Sequence, residues 1–130
     1  MKQVLVPDEK GRSFARAVRV GQFLFMSGMT GQWDLATWER DSRSLGDVEY
    51  QTRRIFEWAQ KVLGECGLGM GDVVKTTTFI RSMQDLPAIG RVKQEFFPDN
   101  DVTDSTIAAA DFVGSADLEI EFLAVYPDGR

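Results

Sequence analysis

The sequence predicts an α+β domain, a mixed β-sheet with two helices packed on one face, and three observations predict it. Two stretches carry a helical period: 47–66, with apolar residues at Val48, Ile55, Ala59, Val62, Leu63 and Cys66, and 85–97, with Leu86, Ile89, Phe96 and Phe97. Other runs carry a strand signature, either β-branched residues or an apolar residue at every second position. The order of these runs, β-β, a short strand, α, β, α, β-β, suits helices laid on a single sheet. All 130 residues make one domain, large enough to bury a real core.

The last ordered stretch is the most informative. From Asp117, apolar residues fall at Leu118, Ile120, Phe122 and Ala124 with Glu119 and Glu121 between them, so one strand face enters a core and the other carries carboxylates. Gly114 and Ser115 separate this run from Asp104–Phe112, and the whole reads as a β-hairpin walling the functional site. Residues 13–30 hold two further strand-like runs around Gly21-Gln22, a second hairpin, and Gly28 within the strand pattern marks a bulge or a close backbone approach. Gln32 to Leu45 reads as a long loop with a short strand near Thr37–Arg40; its Trp33 and Trp38 are loop anchors or ligand-stacking groups. Asp47 is the expected N-cap of the first helix, which Gly67 and Gly69 end. Asp85 is the expected cap of the second, with Pro87 in its first turn. Between them, 72–81 is β-branched on both faces. Two helices cover one side of a sheet only, so the half-apolar second side predicts a homo-oligomer.

Composition removes several function classes. A formal net charge of −5 argues against a nucleic-acid partner, which needs a basic stripe to displace counterions. Arg40, Arg43, Arg53 and Arg54 cluster, but interleaved Glu39, Asp41, Asp47, Glu49 and Glu57 make that a solvated, mixed-charge surface. The 43% hydrophobic content is that of a soluble globular protein, Met1–Pro7 is too short an apolar run for a signal peptide, and no stretch has the length of a membrane helix. A cytoplasmic protein without membrane contact is expected. The single cysteine, Cys66, forms no internal disulfide and is read as a buried structural thiol. With no histidine there is no Ser-His-Asp or Cys-His system and no histidine-ligated zinc; acid–base chemistry falls to Asp, Glu, Lys, Tyr, Cys, water or substrate. Glu119 and Glu121 lie about 7 Å apart by strand rise, a separation glycosidases use, but so small a chain with so little loop offers no sugar groove.

Several motifs together resemble a known family. Val20-Gly21 before Phe23-Leu-Phe-Met-Ser-Gly28, then Gln51-Thr-Arg-Arg54, Gly67-Leu68, Gly71-Asp-Val-Val-Lys-Thr-Thr77, Phe96-Phe97-Pro98 and Glu119-Ile-Glu121 with Ala124-Val125 are similar to the RidA/YjgF family of enamine/imine deaminases, in that family's order and spacing. The resemblance runs from about residue 12 to 127. It implies a chorismate-mutase-like fold, a homotrimer with three clefts between subunits, a small-molecule substrate, and neither metal nor organic cofactor. It implies that Glu119 serves the reactive water and that the Gly28 backbone lines the cleft. On the substrate side the pattern departs: Asp104 stands where deaminating members place a carboxylate-binding arginine, Phe14 where they have tyrosine, and Gly90 where they have asparagine. Thr106 and Trp33 complete the expected substrate-binding set. Glu119 also reads as a strand carboxylate paired across a subunit boundary, and Asp104 as a cap for nearby backbone. The expected function is hydrolysis or tautomerisation of an enamine, imine or other nitrogen-containing metabolite, not a 2-imino acid. The alternative is a non-catalytic ligand-binding or protein-interaction trimer on the same scaffold.

Overall fold

A computed structural model describes residues 1–130. Its strands are β1 (Lys2–Pro7), β2 (Ala15–Val20), β3 (Phe23–Met26), β4 (Val73–Ile80), β5 (Thr103–Ala108) and β6 (Leu118–Val125), and its helices are α1 (Val48–Glu65) and α2 (Leu86–Phe96). They form one six-stranded sheet in the order β1-β2-β3-β6-β4-β5, antiparallel throughout except for the β4/β5 pair. This is the expected α+β, chorismate-mutase-like arrangement. No helix is long and apolar enough to cross a membrane.

The predicted helix starts and the first predicted hairpin match the structure. The Asp47 side chain accepts from the Tyr50 N–H at 2.9 Å and starts α1. Gly21, at φ +59°, turns β2 into β3, a backbone that glycine adopts without strain. Before α2, it is the Ser82 hydroxyl that caps the short 3₁₀ turn Met83–Asp85, while Asp85 makes no side-chain cap bond. Cys66 is buried at the end of α1, where its carbonyl accepts from the Tyr126 hydroxyl at 2.6 Å.

The sheet departs from expectation in three places. β5 and β6 are not a hairpin: β5 lies parallel on one edge of β4, and β6 fills the slot between β3 and β4. A central β-branched strand needs hydrogen-bonding partners on both edges. The α2 crossover delivers β5 to one, so residues 109–117, with Gly114 at φ +66°, carry the chain over to the other. Lys2–Pro7, too short and polar to register as an element, pairs with β2 as an edge strand with two irregularities. Thr37–Arg40 is no strand; a single Trp33/Arg40 bridge closes a turn in which Trp38 takes φ +60°.

The core lies between the sheet and the helices. Leu118, Ile120, Phe122 and Ala124 face it as their period predicts, joined by Thr76, Thr78 and Ile80 of β4. Phe56 of α1 stacks on Phe96 at 4.9 Å and meets Phe97 and Phe122 edge-on at 5.9 and 5.7 Å. Val92 is buried where Leu86 was expected, and Leu86 is exposed. The opposite face of the sheet has no helix, and Phe23 and Phe25 stand half exposed there beside the partly buried Leu123 and Val125.

One buried amide fixes β6 against α1. Gln51 donates to Ser44 O and to Asp117 Oδ2 at 2.8 Å each, and its Oε1 accepts from Asp117 N–H at 2.8 Å. The side chain is fully enclosed, so truncation strands the Asp117 N–H and takes one partner each from the Ser44 carbonyl and the Asp117 carboxylate. At roughly 1–3 kcal/mol for an unsatisfied buried group, Gln51→Ala is expected to lose about 2–4 kcal/mol in urea unfolding at fixed protein concentration. A loss below about 1 kcal/mol would show that water replaces the amide freely.

Candidate functional site

The site grows from a local irregularity of β3. Phe25 pairs with Leu123 and Met29 bridges to Ile120, so four steps on one chain face three on the other, a bulge at Ser27-Gly28. The bulge turns the Gly28 backbone toward Glu119. A Cβ on Gly28 would lie 2.2 Å from Glu119 Oε2, a position only glycine leaves open to the carboxylate. Both readings of Gly28, bulge and close approach, therefore hold.

Around this pair lies a cavity of about 340 Å³. Its floor is Glu119, Gly28, Ser27 and Thr30; Phe14, Trp33 and Trp58 form aromatic walls; Arg12, Arg16, Gln32 and Val113 complete it. Trp33 is held there by several contacts. Arg54 of α1 donates to its carbonyl at 2.9 Å and to the Tyr50 hydroxyl at 2.8 Å, and Lys10 Nζ sits 3.3 Å from its ring centroid. Arg54 and Arg43 converge on Asp41, which the Arg43 guanidinium and the Tyr50 hydroxyl hold far below the usual carboxylate range. Of the arginine cluster, Arg54 thus anchors the 32–45 loop largely out of solvent, while Arg43 braces it from the surface. Trp38 packs on Trp58 with centroids 5.2 Å apart and does not line the cavity.

Glu119 is half-buried between core residues Leu118 and Ile120 and lies opposite Phe79 of β4. Burial pushes its carboxyl pKa up, Glu121 adds to the shift, and Arg16 opposes it. The negative charge that acts on it is Glu121 of its own strand.

Asp104 lies on the other side of the sheet. In register with Thr76, it points to the helix-covered face and accepts from Thr76, Thr78 and Thr106 hydroxyls at 2.8, 2.7 and 2.6 Å. Lys93 of α2 sits 3.1 Å away. Burial raises its pKa, but the hydroxyls of Thr106, Thr78 and Thr76 and the Lys93 charge outweigh burial and hold it below the ordinary value. Gly90, one turn before Lys93, lines a small groove with Lys93 and Asn100. The expected set divides in two: Glu119, Gly28, Phe14 and Trp33 share one cavity, while Asp104, Thr106 and Gly90 gather at the β5/α2 edge.

Sequence reasoning missed Arg12, Arg16, Gln32 and Trp58 as cavity residues. The available signal was Arg16 between Ala15 and Ala17 on a strand, a charge set at a core-strand position a few residues after Asp8 and Glu9.

A sheet of this order with two helices on one face defines the fold class, and comparison with known proteins gives the family. The family described as Endoribonuclease L-PSP matches residues 8–126, and the chain belongs to it, the RidA/YjgF (L-PSP) family. A curated relative, the 2-iminobutanoate/2-iminopropanoate deaminase of Dermatophagoides farinae, is 33% identical over 121 residues, 93% of this chain and 91% of that protein. In fold the chain is similar to RidA from the Antarctic bacterium Psychrobacter sp. PAMC 21119, with a TM-score of 0.80 at 21% identity over 95% of each chain. A Rid-family protein of unknown function, YyfA from Yersinia pestis, gives 0.86 at 24% identity, covering 96% of this chain and 99% of that one.

The raised Glu119 pKa has a consequence for stability. A carboxyl whose folded pKa lies above its unfolded value, near 4.3, adds no burden below that value and destabilises increasingly as pH rises through the folded pKa. Glu119→Gln is therefore expected to raise the melting temperature at pH 7, with the gain vanishing by about pH 4. Melting curves across pH with no gain at neutrality would show that Glu119 is not strained by burial.

Proposed function

We propose that this protein is a small-molecule enzyme of the imine/enamine deaminase type, hydrolysing or tautomerising a nitrogen-containing metabolite with Glu119 as the proton-handling and water-orienting group. The observation that carries this reading is the half-buried Glu119 carboxyl seated over Gly28 in an aromatic-walled cavity. A carboxyl pushed upward holds a proton nearer neutrality, so it can give one to a leaving nitrogen and take one from water. The deaminase name of the Dermatophagoides farinae relative supports the same class.

The substrate differs from a small 2-imino acid. A bidentate cation for a carboxylate is absent at position 104, and Asp104 is already paired with Lys93, which leaves that edge without spare positive charge. An amine, amidine or protonated imine suits the cleft better. The reaction runs in a homotrimer: the uncovered face with Phe23 and Phe25 supplies the contact, and the two residue groups separated within one chain meet across a subunit boundary. An RNA-cleaving role draws no support from a net charge of −5 and a chain without histidine.

The competing reading, a non-catalytic ligand-binding or protein-interaction trimer, is favoured by the Asp104 substitution alone, and turnover separates the two. In a screen of amines, imines and lactams, a compound that raises the melting temperature is expected to be consumed by the wild type, and Glu119→Gln to lower its turnover about 10²–10⁴-fold. Hydrolysis of 2-aminoacrylate, generated in place, stays near the uncatalysed rate. Full turnover by Glu119→Gln, or rapid consumption of 2-aminoacrylate, contradicts the assignment. Sedimentation at micromolar concentration gives a trimer; a monomer removes the inter-subunit site.

A further inference from the structure

Arg16 has no evident place in a core. Its side chain is 2% exposed, yet it carries a full charge, and a buried guanidinium destabilises a fold unless its partners are nearly complete. An apolar side chain of similar size would fill the same space without that demand. What surrounds Arg16 shows where the charge is directed. Its Nη2 donates to Asp8 Oδ1 and Glu9 Oε1 at 3.1 Å each, its plane lies 4.3 Å from the Trp58 ring centroid, and its Nη1 donates to the Gly28 carbonyl at 2.9 Å. Asp8 is itself fixed from the other side, accepting from Arg12 Nε and Nη2 at 2.9 Å each. Two carboxylates and an indole therefore clamp the guanidinium from behind, and its remaining terminal nitrogen holds the peptide on which Glu119 rests.

We propose that Arg16 is a positioning residue for Glu119: it fixes the bulged Gly28 peptide beneath the carboxylate and holds a buried positive charge on that side of it. This rests on Glu119 being the reacting group. The charges around Glu119 are few. Glu121 on its own strand is repulsive and Arg16 on β2 is attractive; Arg12 also lines the cavity and shares Asp8 and Glu9 with Arg16, but it is Arg16 that bonds the Gly28 peptide. β4 presents the uncharged Phe79. Burial and Glu121 push the Glu119 pKa up, and Arg16 is the attractive group among its causes that pulls it down. The cavity thereby sets the carboxyl between two extremes, a permanent anion and a permanent acid, and Arg16 is the adjustable element. Asp8 and Glu9 are assigned with it as the groups that keep the guanidinium in place.

The test is a ¹³C NMR titration of the Glu119 carboxyl in the intact protein, which needs no substrate. Arg16→Met should raise the Glu119 midpoint by roughly one pH unit, the scale of an adjacent opposite charge. Arg16→Lys, which keeps the charge with fewer bonds, should raise it less. Arg53→Met, which breaks the exposed pair with Glu95 on the helix side, should leave it unmoved. If Arg16→Met does not fold, Arg16→Met with Glu9→Gln relieves the excess of negative charge left beside Arg12 and should still show an upward shift. An unmoved midpoint in whichever of the two folds overturns the proposal. A shifted midpoint in a protein whose turnover survives Glu119→Gln would uphold the positioning and place the failure in the reaction assignment.

Discussion

The position of β6 between β3 and β4 governs everything else in this chain. It is antiparallel to both neighbours, so its strict alternation divides Leu118, Ile120, Phe122 and Ala124 from Glu119 and Glu121 with no freedom of choice. A slip of one residue would put two carboxylates into the core. Gln51 guards against this by binding both the N–H and the carboxylate of Asp117, one residue before the strand starts. The register so fixed places Glu119 where the β3 bulge brings Gly28 under it.

Much of this was readable from residues. The face of β6 followed from its period, α1 from Asp47 and its apolar stripe, the first hairpin from Gly21, and the dual meaning of Gly28 from a glycine inside a strand pattern. The β5/β6 pairing was not readable, because Gly114-Ser115 looks the same in a tight turn and in a connection that crosses the end of a sheet. β1 escaped notice because an edge strand buries little and so needs little apolar patterning. Arg16 and Gln51 escaped for a shared reason. Their burial depends on partners distant in sequence, Gly28 and Trp58 for one, Asp117 for the other, and local patterning has no access to such partners.

The two residue groups have opposite electrostatic character. At the β5/α2 edge, Asp104 and Lys93 cancel and three threonine hydroxyls complete the carboxylate, a stable arrangement with little left to react. In the cavity, the Glu119 carboxyl is raised by burial and by Glu121 and restrained by Arg16, so its charge is only partly compensated.

Under the proposed function, substrate binds and reacts in the Glu119 cavity. A crystal structure of the assembled protein with a non-hydrolysable imine or lactam analogue tests it most directly. The analogue's nitrogen is expected within hydrogen-bond distance of Glu119, with its planar part between Trp33 and Phe14. An analogue that binds in solution yet lies away from Glu119, at the β5/α2 edge of a single protomer or on the open sheet face, would contradict it.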